Sequence, residues 1–132
     1  MTPNYAEIFG NCLKTLSVDR VDRDDAGDWR ISVDGHTAMA RIFLRPVPFV
    51  YLWTGVVQSV DADCVSELNR LNCNSAIAHF VYEADGGHVF AAADLLVSGL
   101  NTESLGSALT AIHTISEQVA PMLGAMFTTD GA

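Results

Sequence analysis

The sequence predicts an α+β fold in which helices flank an antiparallel sheet, with the element order α-β-β-β(-β)-α-β-β-α. Near both ends of the chain, apolar residues recur every three or four positions, the spacing of a helix with one buried side. Between them, apolar and polar residues alternate in short runs separated by Asp-Gly and proline-containing stretches, which is typical of strands joined by turns. With 132 residues, the chain is expected to form a single domain over residues 1–132.

The first predicted helix lies at the start of the chain, where Thr2 and Pro3 resemble a helix start. Its apolar residues follow the spacing i, i+3, i+4, i+7, i+8 and i+11. They are Tyr5, Ile8, Phe9, Cys12, Leu13 and Leu16. A helix with such a stripe needs a surface to cover.

Three or four strands are predicted after this helix. Residues 28–34 alternate, so that Trp29, Ile31 and Val33 face one way and the polar residues face the other. Residues 37–45 alternate again, with one set predicted for the core face and the other for the opposite face. The core set is Ala38, Ala40, Ile42 and Leu44, and the opposite set includes Arg41, Phe43 and Arg45.

The next strand is predicted over residues 49–57, which are apolar on both faces. Pro46 and Pro48 separate it from the preceding strand, because proline cannot donate a hydrogen bond to the ladder. A strand that is apolar on both faces is expected to be covered on both, either by helices or by another chain.

A second helix is predicted from about Asp61 to Leu71, with Ser59 or Asp61 as its cap. The segment "SELNRLNCN", residues 66–74, puts three asparagines near its end. Asparagine tolerates the left-handed conformation that closes a helix, and its side chain can bond nearby backbone groups. We predict that Asn72 ends this helix and ties it to the next strand at Ile77, rather than forming a ligand site.

A second hairpin and a long last helix complete the predicted fold. The hairpin turns at Asp85, Gly86 and Gly87. The helix starts with Asn101 or Thr102 as its cap, and Pro121 is expected to kink or end it. Its apolar stripe is predicted to contain Leu105, Leu109, Ile112, Ile115, Val119 and Met122.

The charge of the chain limits its partners. A net charge of −9 argues against nucleic acid and anionic membranes, which bind surplus lysine and arginine. Three cysteines at no zinc-ligand spacing, with no signal peptide or membrane-span pattern, indicate a reducing cytoplasm. Because 49% of the residues are hydrophobic and only 17% are charged, part of the apolar surface is expected in a subunit or partner interface.

No catalytic, metal or cofactor motif is complete. The acidic stretch "VDRVDRDDAGD" fails as a calcium loop, because Ala26 takes a ligand position and Val33 takes that of the closing glutamate, so it is interpreted as a solvated turn. "EADGGHV" has no phosphate-binding pattern and is also interpreted as a turn. The alternative hypothesis is a small-molecule or metal-dependent enzyme that uses His79, His88 and Asp94, provided that the two histidines meet across the second hairpin.

Several soft patterns in the C-terminal half carry a resemblance to a known family. They are "LNRLN", "AHFVYE", "DGGHVFAAADLLV", the helix start "GLNTESL" and the ending "VAPML". Together with the element order, they resemble the YbjN-type family of bacterial domains, which is similar in fold to type III secretion chaperones. The resemblance implies a helix-flanked antiparallel sheet, often dimeric, that binds protein or peptide segments without catalysis.

The first hypothesis is therefore a homodimeric, chaperone-like or regulatory adaptor that holds a protein or peptide client against apolar surface. We predict that the contact residues are Phe43, Phe49, Tyr51 and Trp53, with Arg41 and Arg45 beside them. Phe43 would be the exposed anchor and the two arginines would set the register of a partly acidic segment. The alternative is that Phe49, Tyr51 and Trp53 form one face of the core.

Overall fold

The computed structural model of the chain describes residues 4–73 and 77–127, and it contains three α-helices and six strands in these residues. The predicted α+β class and element order are confirmed, with four strands before the second helix. The strands form one antiparallel sheet in the order β1-β2-β3-β4-β6-β5. The bounds are α1 Tyr5–Leu16, β1 Arg20–Arg23, β2 Trp29–Val33, β3 His36–Phe43, β4 Phe49–Val57, α2 Cys64–Asn72, β5 His79–Glu83, β6 His88–Leu96 and α3 Thr102–Phe127, with a 3-10 turn at Val97–Gly99.

Contacts between residues divide the described chain into two compact units. The first contains residues 4–52 and 94–110, and the second contains residues 53–73, 77–93 and 111–127. Because β4 and β6 run through both ranges, these two strands contribute residues to each unit.

The core of the first unit lies between α1 and strands β2 and β3. Phe9 and Leu13 on α1 are buried, and the Phe9 ring meets the edge of Trp29 with ring centroids 5.2 Å apart. Asn4 caps α1 by accepting a hydrogen bond from the Glu7 amide. The helix start predicted at residues 2 and 3 lies outside the described residues.

Strand β1 occupies the stretch that was interpreted as a solvated turn. All four of its residues are exposed, since β1 is an edge strand whose sole neighbour is β2. The turn itself follows it: the Asp24 carboxylate accepts hydrogen bonds from the amides of Ala26 and Asp28, and Gly27 has a φ of 87°. An edge strand without a buried face has no alternation of apolar residues, which is why the pattern did not reveal it.

Strand β3 ends earlier than predicted, at Phe43 instead of residue 45. Ala38 and Ala40 are buried, as expected for the core set, and Ile42 is half-buried. Leu44 was predicted to be in the core, but it is 61% exposed because it lies past the end of the strand. Alternation predicts the buried side of a residue only while the ladder continues.

In the second unit, α2 begins at Cys64 and ends at Asn72. Asp61 forms a turn ahead of the helix, with its carboxylate accepting from the Asp63 amide and its carbonyl accepting from the Cys64 amide. The helix therefore starts three residues later than predicted. Ser59, the other predicted cap, has a left-handed φ of 57° and lies before this turn.

The second hairpin turns where the sequence predicted, with Gly86 and Gly87 at φ values of 80° and 64°. Helix α3 is capped by Asn101, whose carboxamide oxygen accepts from the Ser104 amide while the Ser104 hydroxyl accepts from the Asn101 amide. The helix continues through Pro121 to Phe127, so of the two expectations for this proline, a kink or an end, the end is wrong.

Candidate functional site

Strand β4 carries a half-buried aromatic face. Val50 and Leu52 are fully buried, whereas Phe49 and Tyr51, which point to the opposite side of the strand, are half-buried. Trp53 continues this alternation and is also half-buried. These three residues are therefore not a fully buried layer, which weakens the alternative that they serve only as core.

Phe43 on β3 joins two of these residues in an aromatic cluster, which we define as Phe43, Phe49 and Tyr51. The Phe43 and Phe49 rings stack with centroids 5.2 Å apart and planes 15° apart. Tyr51 meets Phe43 edge-on, with a centroid distance of 6.3 Å. Phe43 remains 38% exposed, so the cluster offers an apolar surface that is held in place by ring contacts.

The aromatic cluster is bordered by one carboxylate. Asp94 on β6 is exposed, and its charge acts on Tyr51. Burial, and secondarily this negative charge, raise the pKa of the Tyr51 phenol above its ordinary value of 10.0. Tyr51 is therefore a neutral hydrogen-bonding group at physiological pH, and it adds a polar edge to an otherwise apolar surface.

Arg41 lies beside the cluster but is engaged within the protein. Its Nε donates to Asp28 Oδ1 at 2.7 Å and its Nη2 donates to Asp28 Oδ2 at 2.6 Å. Asp28 is 6% exposed, while the Arg41 side chain is 49% exposed and its guanidinium lies 6.0 Å from the centre of the Phe43 ring. The sequence predicted no partner for Arg41, because the two residues are 13 positions apart and meet only through the register of β2 and β3.

Arg45 was predicted to lie on the same strand face as Phe43 and Arg41. It is exposed, but it lies beyond the end of β3, so strand geometry does not fix its direction. The strand predicted over residues 37–45 is therefore two residues too long at its end, whereas the predicted contact between Arg45 and a client stays a prediction. What the structure retains of that strand is Phe43 flanked by a single strand arginine, Arg41.

The histidines of the enzyme hypothesis do not meet across the second hairpin. His79 is opposite Ala92, and His88 is opposite Glu83. The four steps from His79 to Glu83 span ~13 Å of strand, so the two imidazoles are too far apart to share a metal ion or a proton. His88 instead stacks on Phe90, with ring centroids 6.0 Å apart.

Asn72 has a structural role at the end of α2. Its carboxamide nitrogen donates to the Phe80 carbonyl at 3.0 Å, and its carboxamide oxygen accepts from the Phe80 amide at 2.7 Å. Strand β5 lies at the edge of the sheet, so Asn72 pairs with it as a neighbouring strand would. The predicted tie to the next strand exists, although at Phe80 rather than Ile77; Asn74 lies outside the described residues.

Replacing Asn72 with alanine is expected to lower the free energy of unfolding by about 1–2 kcal/mol, because two backbone groups of the buried Phe80 lose their partner. Asn69→Ala is the matched control, since Asn69 is exposed on the same helix and its removal is expected to be neutral. Urea unfolding of both variants measures the difference. Equal stability of the two variants would show that Phe80 finds other partners.

Among the described residues, no helix is long and apolar enough to cross a membrane. The cysteines in this part of the chain, Cys12, Cys64 and Cys73, are free thiols, of which Cys64 is buried and Cys73 is exposed. Burial raises the pKa of the Cys64 thiol, so this group is protonated and serves as a small apolar side chain.

Three solved structures share the fold at low sequence identity. A chain of the ExsC–ExsE complex has a TM-score of 0.67 at 16% identity, with 89% of this chain and 91% of that chain covered. For the Yersinia pestis type III secretion chaperone SycH with a fragment of YscM2, the TM-score is 0.63 at 13% identity, and the coverage is 87% and 98%. For the HopA1–SchA chaperone–effector complex, the TM-score is 0.70 at 12% identity, and the coverage is 89% and 93%.

A comparison with curated proteins gave no significant match. One family model matches residues 5–129, nearly the whole chain, and it describes the T3SS (YopN, CesT) and YbjN peptide-binding chaperones. This match confirms the resemblance that the C-terminal patterns indicated. The chain therefore belongs to the TY-Chap1 family of type III secretion and YbjN peptide-binding chaperones.

Proposed function

We propose that this chain is a non-enzymatic, peptide-binding chaperone or regulatory adaptor that acts as a homodimer of one-domain subunits in the bacterial cytoplasm. The observation that carries this proposal is the aromatic cluster, an exposed apolar surface built from adjacent strands in a member of a peptide-binding family. The three similar structures support it, since each is a complex with a second protein.

The client is held on the face of β3 and β4. Phe43 is the central anchor, because it is the most exposed member of a cluster whose other rings fix its position. Aromatic anchors of this kind supply a large apolar area with few bonds to immobilise. The charge of Arg41 borders the cluster, and Trp53 and Arg45 stay among the predicted contact residues.

The homodimer is supported by the amount of apolar surface that the described chain leaves in solvent. Several large apolar side chains are more than half exposed, and a stable dimer must bury at least ~1,200 Å² in total. A chain with 49% hydrophobic residues and so few charged ones has the composition for such an interface. Among the described residues, these are Met126 at 63%, Leu44 at 61%, Leu96 at 56% and Ile77 at 54%.

Replacing Phe43 with serine tests this function. The partner that co-purifies with the tagged protein is expected to bind the variant more weakly by about 1–3 kcal/mol, because the anchor is lost. Stability is expected to fall by about 1 kcal/mol, because the stacking on Phe49 is lost as well. Val65→Ser is the matched control: Val65 has the same 38% exposure but lies on α2, and its loss is expected to leave binding unchanged.

Light scattering on the same preparations separates the client surface from the subunit interface. Wild type and both variants are expected to show the mass of a dimer at micromolar concentration. A dissociated Phe43→Ser variant without a separate binding defect would assign the aromatic cluster to the dimer interface. A monomer mass for the wild type would exclude the homodimer. Equal client affinities of Phe43→Ser and Val65→Ser would exclude the aromatic cluster as the client surface.

A further inference from the structure

A cleft of about 710 Å³ opens in the first unit. It is lined by the first turn of α1, the turn between β1 and β2, and the end of β3. Its lining includes Trp29, Ile42 and the 61% exposed Leu44. The cleft therefore combines an aromatic and aliphatic lining with the charged groups described next.

Arg23 supplies a fixed positive charge to this cleft. Its guanidinium lies 4.3 Å from the centre of the Trp29 ring, and one of its nitrogens donates to the Gly27 carbonyl at 2.8 Å. The ring and the turn hold the planar group in one orientation and leave its other N–H groups for a ligand. Within the described residues, Arg23 forms no ion pair with a carboxylate.

The charges around the cleft favour an anionic group. Its charged lining side chains are two guanidiniums, Arg23 and Arg41, and a single carboxylate, Asp28, which already receives both hydrogen bonds of the Arg41 pair. The first turn of α1 adds the partial positive charge of a helix N-terminus. The side chains that line the cleft thus carry one more positive than negative charge, in a protein whose net charge is −9; Asp24 in the adjoining turn and Glu7 in the first turn of α1 lie outside the lining.

We propose that this cleft is a second client subsite, which binds an acidic side chain next to an apolar one in an extended client segment. Arg23 pairs with the carboxylate and the neighbouring apolar side chain packs on Ile42 and Leu44. A carboxylate fits the planar fork of a guanidinium with two hydrogen bonds, so the subsite selects for an acidic residue by geometry as well as by charge. This inference rests on the proposed peptide-binding function and adds to it a preference for client sequences in which an acidic residue stands next to an apolar one.

The subsite also has a consequence for specificity. The acidic surface outside the cleft repels an acidic client segment, whereas the cleft attracts it. This difference in electrostatic attraction sets the register of the client. Repulsion between exposed charges is screened over about 8–10 Å at physiological ionic strength. Arg23 is exposed, so its pairing with the client is screened as well, and the preference for acidic segments is expected to weaken as salt is added.

The test uses two synthetic twelve-residue peptides, both with a neutral dye and an amidated C-terminus. One has two Glu-Leu pairs in a Gly-Ser frame, and the other has glutamine in place of each glutamate. Fluorescence anisotropy with the intact protein is expected to give an affinity about ten-fold higher for the glutamate peptide. Arg23→Gln is expected to abolish this difference.

Arg20→Gln is the matched control, because it removes one arginine from the same exposed strand without altering the cleft, and it is expected to retain the ten-fold preference. Arg23→Lys is expected to retain part of the preference, since lysine keeps the charge but not the fork. The thermal midpoint of each variant reports whether it is folded. If Arg23→Gln does not fold, the folded Arg23→Lys variant still tests the subsite.

Each outcome separates the subsite from the proposed function. If both peptides bind equally and Arg23→Gln behaves as Arg20→Gln does, the subsite is wrong and peptide binding stands. A third peptide has glutamine in place of glutamate and a free C-terminus. If it binds as tightly as the amidated glutamate peptide, and Arg23→Gln removes this affinity, the cleft binds a chain terminus and the inference is wrong as stated. If wild type binds neither these peptides nor the co-purified partner, both proposals fail.

Discussion

Replacing Gly87 with alanine is expected to lower the free energy of unfolding by about 2–4 kcal/mol. Gly87 has a φ of 64°, in the left-handed region that costs other residues about 1–2 kcal/mol. A methyl group on its Cα would overlap the Val60 carbonyl oxygen and would lie 3.0 Å from the Val60 amide nitrogen. Both contacts are with backbone, so relief requires the turn to move.

That movement would break the contact between the hairpin turn and the segment before α2. The Val60 amide donates to the Gly87 carbonyl at 3.0 Å, and the Ser59 amide donates to the Gly86 carbonyl at 3.2 Å. Gly35→Ala is the matched control: Gly35 also has a left-handed φ, 82°, but a methyl group there would meet nothing within 4 Å. Thermal or urea unfolding is expected to show a loss of about 1–2 kcal/mol for Gly35→Ala, and an equal loss in both variants would exclude the close approach as the cause.

Local patterns predicted much of the fold. The turn at Asp85 to Gly87 could be predicted because glycine is suited to a left-handed φ at a two-strand turn. The half-buried strand Trp29–Val33 could be predicted because one buried face gives a period of two. Helix starts were less accurate, since Asp61 forms a separate turn before α2 and this turn has the same residue preferences as a cap.

Features that depend on register could not be predicted. Strand β1 has no buried side, so its sequence resembles a polar turn. The Arg41 and Asp28 pair requires the alignment of β2 with β3, which the composition of neither strand determines. The separation of His79 from His88 is of the same kind: a shared hairpin brings two strands together, but the register decides which residues face each other.

The candidate site was predicted in part. Phe43 was predicted as a contact residue because alternation placed it beside Arg41 and Arg45 on the less buried face, and Phe49 and Tyr51 because residues 49–57 are apolar on both faces. The structure brings the three rings together. The cleft was missed, although a signal existed. Arg23 and Trp29 stand on either side of the turn "DDAGD", and such a spacing places two residues opposite each other in a hairpin, where a guanidinium can stack on an indole.

The Arg41→Met variant is expected to lose about 2–3 kcal/mol of stability at neutral pH, because it leaves the Asp28 carboxylate buried without its guanidinium. The reverse change, Asp28→Asn, is expected to cost about 1 kcal/mol, since the half-exposed Arg41 can be solvated and asparagine still accepts one hydrogen bond. Urea unfolding of the two variants checks this asymmetry. Equal losses would mean that the carboxylate is well solvated without Arg41.

The pH dependence has a defined sign. In the wild type, the hydrogen bonds from Arg41 lower the pKa of Asp28 below its usual 3.8, against the opposing effect of burial. The pair therefore stabilises the protein fully above that usual value and is lost as pH falls through the lowered pKa. In Arg41→Met, the hydrogen bonds to Asp28 are lost and only burial acts on its carboxyl, so the pKa of Asp28 rises. Protonation of this carboxyl then removes the cost of burying its charge. The stability gap between wild type and Arg41→Met is expected to narrow on acidification from pH 7 to pH 4.

The double variant separates the charge from the packing of the arginine stem. Adding Asp28→Asn to Arg41→Met removes the buried charge, so the double variant is expected to be more stable than Arg41→Met alone. If it is not, the loss in Arg41→Met comes from the aliphatic stem and the contact with Phe43. Client affinity is then measured with the folded Arg41→Met variant. A lower affinity of this folded variant assigns the exposed half of the Arg41 guanidinium to the client. An unchanged affinity restricts Arg41 to holding β2 and β3 in register.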